Sequence, residues 1–553
     1  MKFLKSIKVS LSSSPGVSGD FKIFGGVADY GDFSGTGDGS LFTVRVDDIN
    51  NNYEIRSGCN YTHSTRTLTR GTLIESNTGE AMNISSLATI TDMSSIDTGK
   101  QDYVKVDTPT GFRWTTHPLN IRRVGSNFAT DFDIASLIPP VTNTWYVDPV
   151  AGNNATAVVN NRNLPLLELD DALVKVDVDQ VRIINLTSNF IGRVAKSWNN
   201  SQPSRSISVI VEGGYRYISA KTASSNPPVW TVNATYADVY QTPSTAANSS
   251  QVVDFSRYNQ PSYINGYGTT VTLSNAPPIY EVLKKVASVQ EVHDSTGGAM
   301  YNDGTNTYVK ASDRRNLVGD QFMQPTLTAN NNGRFPTTVP NLTIYCEGID
   351  FVGGTPFSMS FASAITGCVF AHKNCSFQAA GSATNGLNVQ SFATVIGQNS
   401  GAYNNWNDGF NYHSFEADGT TPATSPSCIE IGCVSVGNGT TGSAATSDNA
   451  TTSHDYCNVI RLNGHYIDSD DIVMADVNSS NAWNIGCFIG RSIKGNLSVQ
   501  SANSVKSWFD RSVALTDAPV AYNADGTSTL YHSNCGNVVN GGGTGKVTQY
   551  FGS

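Results

Sequence analysis

Short apolar runs separated by polar turns recur along most of this chain after residue 180. They are VRIINL (181–186), ISVIVEGGY (207–215), LTIYCEGIDF (342–351), ITGCVF (365–370), CIEIGCVSV (428–436), VIRLNGHY (459–466), DIVMADV (471–477) and IGCFIG (485–490). Runs of this length, rich in β-branched residues, are typical of β-strands. None can bury its apolar face alone, so each must pack against its neighbours.

A local signature recurs within these runs and indicates a repeat. It is found at Gly348-Ile349-Asp350-Phe351, Gly367-Cys368-Val369-Phe370, Asn374-Cys375-Ser376-Phe377, Gly432-Cys433-Val434-Ser435 and Gly486-Cys487-Phe488-Ile489. The first two begin 19 residues apart (367 − 348). A repeat of roughly 20–30 residues, each contributing a strand and turns, is the signature of a solenoid. We therefore predict an all-β parallel β-helix, with a Greek-key sandwich as the alternative.

The composition agrees with a β fold and narrows the partners. Only 14% of the residues are charged, against about 25% in ordinary globular proteins, so the polar surface must be mostly Asn, Ser, Thr and Gly, which are poor helix formers. The segment LPLLELDDALVKV (164–176) is the best helix candidate. With a net charge of −10 and no run near ~18 apolar residues, we expect no nucleic-acid partner and no membrane insertion. The N-terminus has no apolar stretch of the kind found in secretory signals.

The nine cysteines include no CxxC pair, so zinc-finger and thioredoxin motifs are absent. Eight of them follow residue 340, mostly within short apolar strands such as CIEIGC (428–433). We expect them to be reduced, buried thiols in a protein that assembles in a cytosol.

The sequence pattern changes at Ile138-Pro139-Pro140, after which the repeated short apolar runs begin. Each residue before a proline there is pushed toward an extended conformation. We place a domain boundary there. The predicted organisation is a small N-terminal β domain over residues 1–139, a β-helix over 140–500, and C-terminal coils or a trimerisation cap over 501–553.

Several motifs near the N-terminus occur in a fixed order. Tyr53-Glu54 in a strand is followed by Tyr61, by TLTR at 67–70, and by Glu75-Ser76-Asn77. In this order residues 41–85 resemble the N-terminal virion-attachment module of bacteriophage tail proteins. The resemblance implies that residues 1–139 attach to virion tail or adaptor proteins. It also implies a location in the virion tail, after assembly in the host cytoplasm.

A second set of motifs follows the boundary. Trp145-Tyr146-Val147-Asp148-Pro149, Gly152, Pro165 and Ala172-Leu173 are similar to the first coil of pectate-lyase-like right-handed β-helices, although Asn153-Asn154 lacks the acidic residue expected after Gly-Asn. TGGAMYNDGTNTYVKASDRR (296–315) resembles a small hairpin insert of such proteins.

Together these resemblances imply a bacteriophage tailspike. Such a protein is a homotrimeric right-handed parallel β-helix that binds, and usually degrades, a bacterial surface polysaccharide such as capsule or lipopolysaccharide. Two alternatives remain: a non-catalytic receptor-binding tail fibre of the same fold, and a secreted bacterial polysaccharide lyase.

Cleavage of a glycosidic bond requires two carboxyl groups, about 5–5.5 Å apart for retention or about 6.5–9.5 Å apart for inversion. Stacked coils about 4.8 Å apart supply both spacings. Carboxylates are densest over residues 408–476. The predicted catalytic residues are Asp408, Glu416, Asp448, His454 and Asp455, and the predicted substrate-binding residues are Trp406, Tyr412, His413, Arg461 and Trp483. This pattern favours a glycoside hydrolase over a lyase.

Each of these residues also has a purely structural interpretation. Aspartate before glycine, as at Asp408, is typical of a turn. The alternative for Arg461 is an ion pair with a neighbouring aspartate, and the alternative for the aromatic residues is a place in the core or at an interface. The acidic segment DSDDIVMAD (468–476) lacks the Gly and Glu placement of an EF-hand loop and is interpreted as a solvated turn. We predict no metal and no other cofactor.

Overall fold

The structure is a computed structural model of the 553-residue chain. It describes residues 8–549 apart from a set of internal segments. The segments and ends outside the description are residues 1–7, 12–17, 19, 27–40, 48–52, 63, 77–80, 82–88, 93–103, 125–126, 176, 194–204, 221–227, 245–250, 266–267, 327–330, 335–338, 361–366, 382, 391–393, 415–425, 440–447, 494–496, 515–521, 536–543 and 550–553.

The chain divides into two compact units, residues 1–104 with 123–125, and residues 105–122 with 126–553. The first unit contains a seven-stranded sheet. In spatial order its strands are Leu41–Asp47, Thr89–Asp92, Lys8–Leu11, Phe21–Gly26, Thr67–Leu68, Tyr53–Thr62 and Thr72–Ser76. Buried Glu54 pairs with Arg56 at 2.7 Å and with Arg70 at 3.0 Å. The Tyr53-Glu54 and TLTR motifs are thus joined by a buried ion pair.

The second unit is a parallel β-helix with three long sheets, which confirms the predicted fold class. Sheet 1 contains Thr144–Val147, Gln180–Ile183, Ile207–Val211, Thr343–Glu347, Val369–Lys373, Thr394–Gln398, Ser427–Ile431, Asn458–Leu462, Asn481–Ile485, Lys506–Asp510, Thr529–Ser533 and Lys546–Gln549. Sheet 2 contains Phe190–Arg193, Tyr217–Ala220, Ile349–Val352, Ser376–Gln378, Gly401–Tyr403, Val434–Val436, His465–Ile467, Phe488–Ile489 and Val513–Ala514. Sheet 3 contains Asn331–Arg334, Thr355–Ser360, Leu387–Gln390, Phe410–His413, Thr451–Ser453, Ile472–Asp476, Leu497–Ser501 and Tyr522–Ala524.

The corners between sheet 1 and sheet 2 explain the recurring signature. From Thr343–Glu347 to Thr529–Ser533, each sheet 1 strand is followed by one residue in the left-handed region of backbone conformation, which glycine and asparagine adopt most readily. These residues are Gly348, Asn374, Asn399, Gly432, Asn463, Gly486, Arg511 and Asn534. Four of the five signature segments begin at such a corner. The exception is Gly367, which precedes the sheet 1 strand Val369–Lys373, so the 19-residue spacing is not a coil length.

Apolar side chains fill the interior of the solenoid, and eight of the nine cysteines lie among or against them, while Cys59 lies in the core of the first unit. Eight of the nine are buried and all are free, and Cys346, Cys375, Cys433 and Cys487 belong to the main core cluster. Burial raises the pKa of Cys375 to about 12, which keeps that thiol protonated and poorly reactive.

We expect thiol labelling under non-reducing denaturing conditions to find nine free thiols per chain. Mass spectrometry of the labelled protein provides the count. Two or more stoichiometric disulfides would contradict this expectation, because they would require core thiols to have left their buried positions.

Two segments cover outer faces of the solenoid. Residues 106–121 and 128–138, assigned above to the N-terminal domain, pack on the apolar outer face of sheet 1. For example, the ring of Phe112 lies 6.0 Å from that of Trp483. The strands of this region are Val104–Lys105, Ile121–Val124 and Asn127–Thr130, followed by a 3-10 helix at Ile134–Leu137.

The second covering segment, residues 229–326, is called the insert here. Its strands are Thr231–Val232, Tyr240–Pro243, Gln251–Asn259, Ser262–Ile264, Thr270–Thr272, Ile279–Val282, Lys284–Lys285, Ala299–Asn302, Asn306–Lys310 and Met323–Thr326. The expected hairpin is present, since Ala299–Asn302 pairs antiparallel with Asn306–Lys310. The described residues contain two short α-helices, Leu169–Leu173 and Val289–Asp294. The first lies within the predicted helix 164–176. No helix of the described residues is long and apolar enough to cross a membrane.

Candidate active site at the entry to sheet 3

Asp408 lies just before the sheet 3 strand Phe410–His413 and is 4% exposed. Its carboxylate accepts hydrogen bonds from the backbone N–H of Asn449 at 2.8 Å and from Nδ2 of Asn411 at 2.5 Å. Burial raises the pKa of Asp408 to about 6, and these hydrogen bonds offset only part of that effect. An aspartic acid with this pKa holds a proton over the range in which an acid catalyst works.

Three further aspartates meet Asp408 at this corner. The backbone N–H of Asp471 donates to the carbonyl oxygen of Asp448 at 3.2 Å, so the two lie on adjacent coils. Gly439 has φ of 81°, and a methyl group there would overlap Cβ of both Asp448 and Asp470. Asp448 is fully buried and Asp471 is 6% exposed, whereas Asp470 is only partly buried. We call Asp408, Asp448, Asp470 and Asp471 the acidic corner.

The aspartates of the acidic corner lie on three successive coils, because the strands Phe410–His413, Thr451–Ser453 and Ile472–Asp476 are neighbours in sheet 3. The carboxylate of Asp408 accepts from the backbone N–H of Asn449, which follows Asp448 in the next coil. The carbonyl oxygen of Asp448 in turn accepts from the backbone N–H of Asp471, one coil further on. Backbone positions on adjacent and on alternate coils are about 4.8 and about 9.6 Å apart, which is the scale of the carboxyl separations used in retention and inversion. Asn411, 4% exposed, also presents an Oδ1 that accepts no hydrogen bond among the described residues. The corner therefore contains a buried acceptor with no hydrogen-bond donor among the described residues.

His413, His454 and Asp455 cluster at the other end of the same strand. The two imidazole rings stack with centroids 3.9 Å apart, and Nδ1 of His413 lies 3.8 Å from Oδ2 of Asp455. Burial lowers the pKa of His454 to about 3, so this ring is neutral. Burial acts to raise the pKa of Asp455, but hydrogen bonding and the charge of His413 hold it below its ordinary value.

The structure thus separates the predicted catalytic residues into two groups. Asp408 and Asp455 flank a four-residue strand, which spans roughly 13 Å at about 3.3 Å per residue. That separation exceeds what either glycosidase mechanism uses. Asp408 and Asp448 belong to the acidic corner, and His454 and Asp455 do not. Glu416 lies outside the described residues.

The predicted substrate-binding residues are also divided. Arg461 is completely buried inside the solenoid, where its Nη1 lies 3.1 Å from Oδ1 of Asp476, and its Nε lies 3.8 Å from Oε1 of Glu430. The ion-pair alternative is therefore correct for Arg461. Tyr412 is likewise fully buried in the main core cluster, so neither residue can touch a polysaccharide at the surface.

The two predicted tryptophans differ in their exposure. Trp483 is 1% exposed beneath Phe112, which leaves no ring face for a sugar. Trp406 and His413 keep partial exposure.

The interpretation of 468–476 as a solvated turn is wrong, because Ile472–Asp476 is a buried strand. Asp470 and Asp471 were missed for this reason, although their spacing from Asp448 was a usable signal.

No group of three or more histidine, cysteine or acidic side chains in the described part of the chain is arranged to hold a metal ion.

Comparison with known proteins gives fold-level similarity alone. No protein family and no curated protein matches the sequence. A solved structure of XylC with xylose is 8% identical with a TM-score of 0.42, covering 74% of this chain and 70% of that chain. A structure described as a glycoside hydrolase is 8% identical with a TM-score of 0.47, covering 74% and 96%. The pectate lyase Pel9A is 10% identical with a TM-score of 0.28, covering 75% and 78%. We base no functional assignment on similarities this distant.

Proposed function

We propose that this protein binds a bacterial surface polysaccharide and hydrolyses its glycosidic bonds at the acidic corner. The observation that carries the proposal is Asp408, a buried aspartic acid with a pKa raised to about 6, beside further carboxyl groups one coil away. An acid and a carboxylate in neighbouring environments that differ in pKa form the functional pair of a glycosidase.

In the proposed reaction, Asp408 donates its proton to the glycosidic oxygen as the bond from that oxygen to the anomeric carbon breaks. Asp448 or Asp471 stabilises the positive charge that develops on the sugar, as nucleophile or as base toward water. Water supplies the new hydroxyl group and restores the proton. Asp470, which is partly exposed, is where the corner reaches solvent.

We further propose that the protein is a homotrimeric phage tailspike whose residues 1–104 attach it to the virion tail. The sequence motifs of residues 41–85 support this role, as does the buried Glu54–Arg70 ion pair that links two of them. A buried, paired charge of this kind costs stability unless both partners are present, which accounts for the two motifs occurring together.

A second candidate function is a non-catalytic receptor-binding fibre of the same fold. The low exposure of Asp408, Asp448 and Asp471, at 4%, 0% and 6%, favours it, because a catalytic carboxyl group must touch its substrate. Incubation with bacterial capsules and lipopolysaccharides, followed by assay of new reducing ends, separates the two functions.

The pH dependence of that release tests the role of Asp408 directly. The acid must be protonated to act, so its contribution is complete below its pKa and is lost as the pH rises through about 6. We expect the rate to fall about tenfold per pH unit well above this value. A rate that stays constant from pH 6 to 9 would contradict an acid role for Asp408.

A further inference from the structure

A cavity of about 850 Å³ lies between the insert and the end of sheet 2. From the insert it is lined by Arg257, Tyr258, Glu281 and Ser312, among others, and from the solenoid by Asn404 and Val436. Binding sites for small ligands usually measure about 300–1,000 Å³. The cavity is thus large enough for several sugar rings.

A β-bulge directs side chains toward this cavity. Along the strand Gln251–Asn259, Asp254 faces Glu281 but Tyr258 already faces Tyr280, so three residues of one strand bulge out between adjacent partners. Such bulges change the direction of side chains and are frequent beside functional sites. Arg257 lies within the bulge, and Tyr258 follows it with 51% of its surface exposed.

The lining combines an aromatic face with neutral hydrogen-bonding groups. Tyr258 supplies the ring, and Asn259, Gln260 and Asn404 supply side-chain amides. The one lining cation, Arg257, is balanced by Glu281, with Nε 2.9 Å from Oε2. An aromatic face, amides and a neutralised ion pair match the ring faces and hydroxyl groups of a sugar better than they match a polyanion.

The wall of the cavity is held rigidly against sheet 2. Tyr280 donates from its hydroxyl group to Oδ2 of Asp350 at 2.7 Å, and Arg216 donates to the same carboxylate at 2.6 Å. Nε2 of Gln378 also donates to the carbonyl oxygen of Pro278 at 2.9 Å. A site that is already ordered loses little conformational entropy when a ligand binds.

The cavity is connected to the acidic corner through the chain and two buried asparagines. Asn404, in its lining, precedes Asn405, whose Nδ2 donates to Oδ1 of Asn438 at 2.9 Å. Asn438 in turn precedes Gly439, which contacts Asp448 and Asp470. We infer that this cavity binds an uncharged, hydroxyl-rich oligosaccharide segment of the substrate and presents the chain to the acidic corner. This inference rests on the proposed function.

The test uses the full chain on a printed array of bacterial capsular polysaccharides and lipopolysaccharides. We expect the unmodified protein to bind an uncharged polysaccharide most tightly. Tyr258→Ala should weaken that binding about tenfold, because it removes an aromatic contact, and Asn404→Ala should weaken it as well. Tyr215→Ala is the matched control, since Tyr215 is 42% exposed and lies outside the cavity lining. It should bind like the unmodified protein.

The outcomes distinguish this inference from the proposed function. If Tyr258→Ala and Asn404→Ala bind normally while Asp408→Asn loses reducing-end release, the cavity inference fails and the proposed function stands. If the two cavity variants lose binding but no polysaccharide is cleaved, the cavity stands and the hydrolase proposal fails. Tightest binding to a polyanion overturns the ligand class, and an array with no bound polysaccharide overturns both.

Discussion

Replacing Asp408 by asparagine is expected to lower the rate of reducing-end release by a factor of about 10² or more, the usual effect of removing a general acid. The substitution keeps the shape of the side chain and its place beside Asn449 and Asn411. It removes the proton that the raised pKa of Asp408 holds near neutral pH. Polysaccharide binding should survive, because the cavity beside the insert is unchanged.

The matched control is Asp455→Asn, at the opposite end of the strand Phe410–His413. Asp455 accepts hydrogen bonds from the backbone N–H of Ser414 on Oδ2 and from Nδ2 of Asn478 on Oδ1; asparagine keeps the shape of the side chain and one of these two acceptors. Turnover of this variant should stay near normal. If Asp455→Asn loses as much activity as Asp408→Asn loses here, the reacting groups lie at the histidine cluster instead.

Asp448→Asn and Asp471→Asn identify the partner of Asp408. The carboxylate that acts as nucleophile or base should show a loss of the same order, because a neutral amide cannot stabilise the positive charge on the sugar. If Asp408→Asn, Asp448→Asn and Asp471→Asn all release reducing ends at normal rates, the acidic corner is ruled out as the site of cleavage.

The architecture was predictable from the sequence because its determinants are local. Runs rich in β-branched residues favour strands, and the left-handed corners favour residues such as Gly432 and Asn463 in regular succession. The signature that revealed the repeat is the corner itself. Gly367 carries a copy of this signature without forming such a corner, since glycine also occurs at other turns.

The composition of the site was less predictable because it depends on the register between coils. Glu430 follows Asp408 by about one coil in sequence, yet it pairs with Arg461 in sheet 1, while Asp408 contacts Asn449 in sheet 3. Loops of unequal length separate the strands, so equal sequence spacing does not place two residues on one face. Burial of Arg461 and Trp483 likewise depends on which side of sheet 1 each residue faces.

Replacing Arg461 by methionine is expected to lower the free energy of unfolding by about 3–5 kcal/mol, because it leaves buried carboxylates without their cation. Burial raises the pKa of Glu430, an effect that the charge of Arg461 opposes, and Asp476 depends on the same guanidinium. Chemical denaturation measures the loss.

Arg205→Met is the control, since Arg205 forms an exposed pair with Asp179. This substitution should lower the free energy of unfolding by at most about 1 kcal/mol. Adding Glu430→Gln and Asp476→Asn to Arg461→Met should restore part of the stability, because no uncompensated charge then remains inside the solenoid. A cost for Arg461→Met no larger than that of Arg205→Met would show that the interior network contributes nothing to holding the coils together.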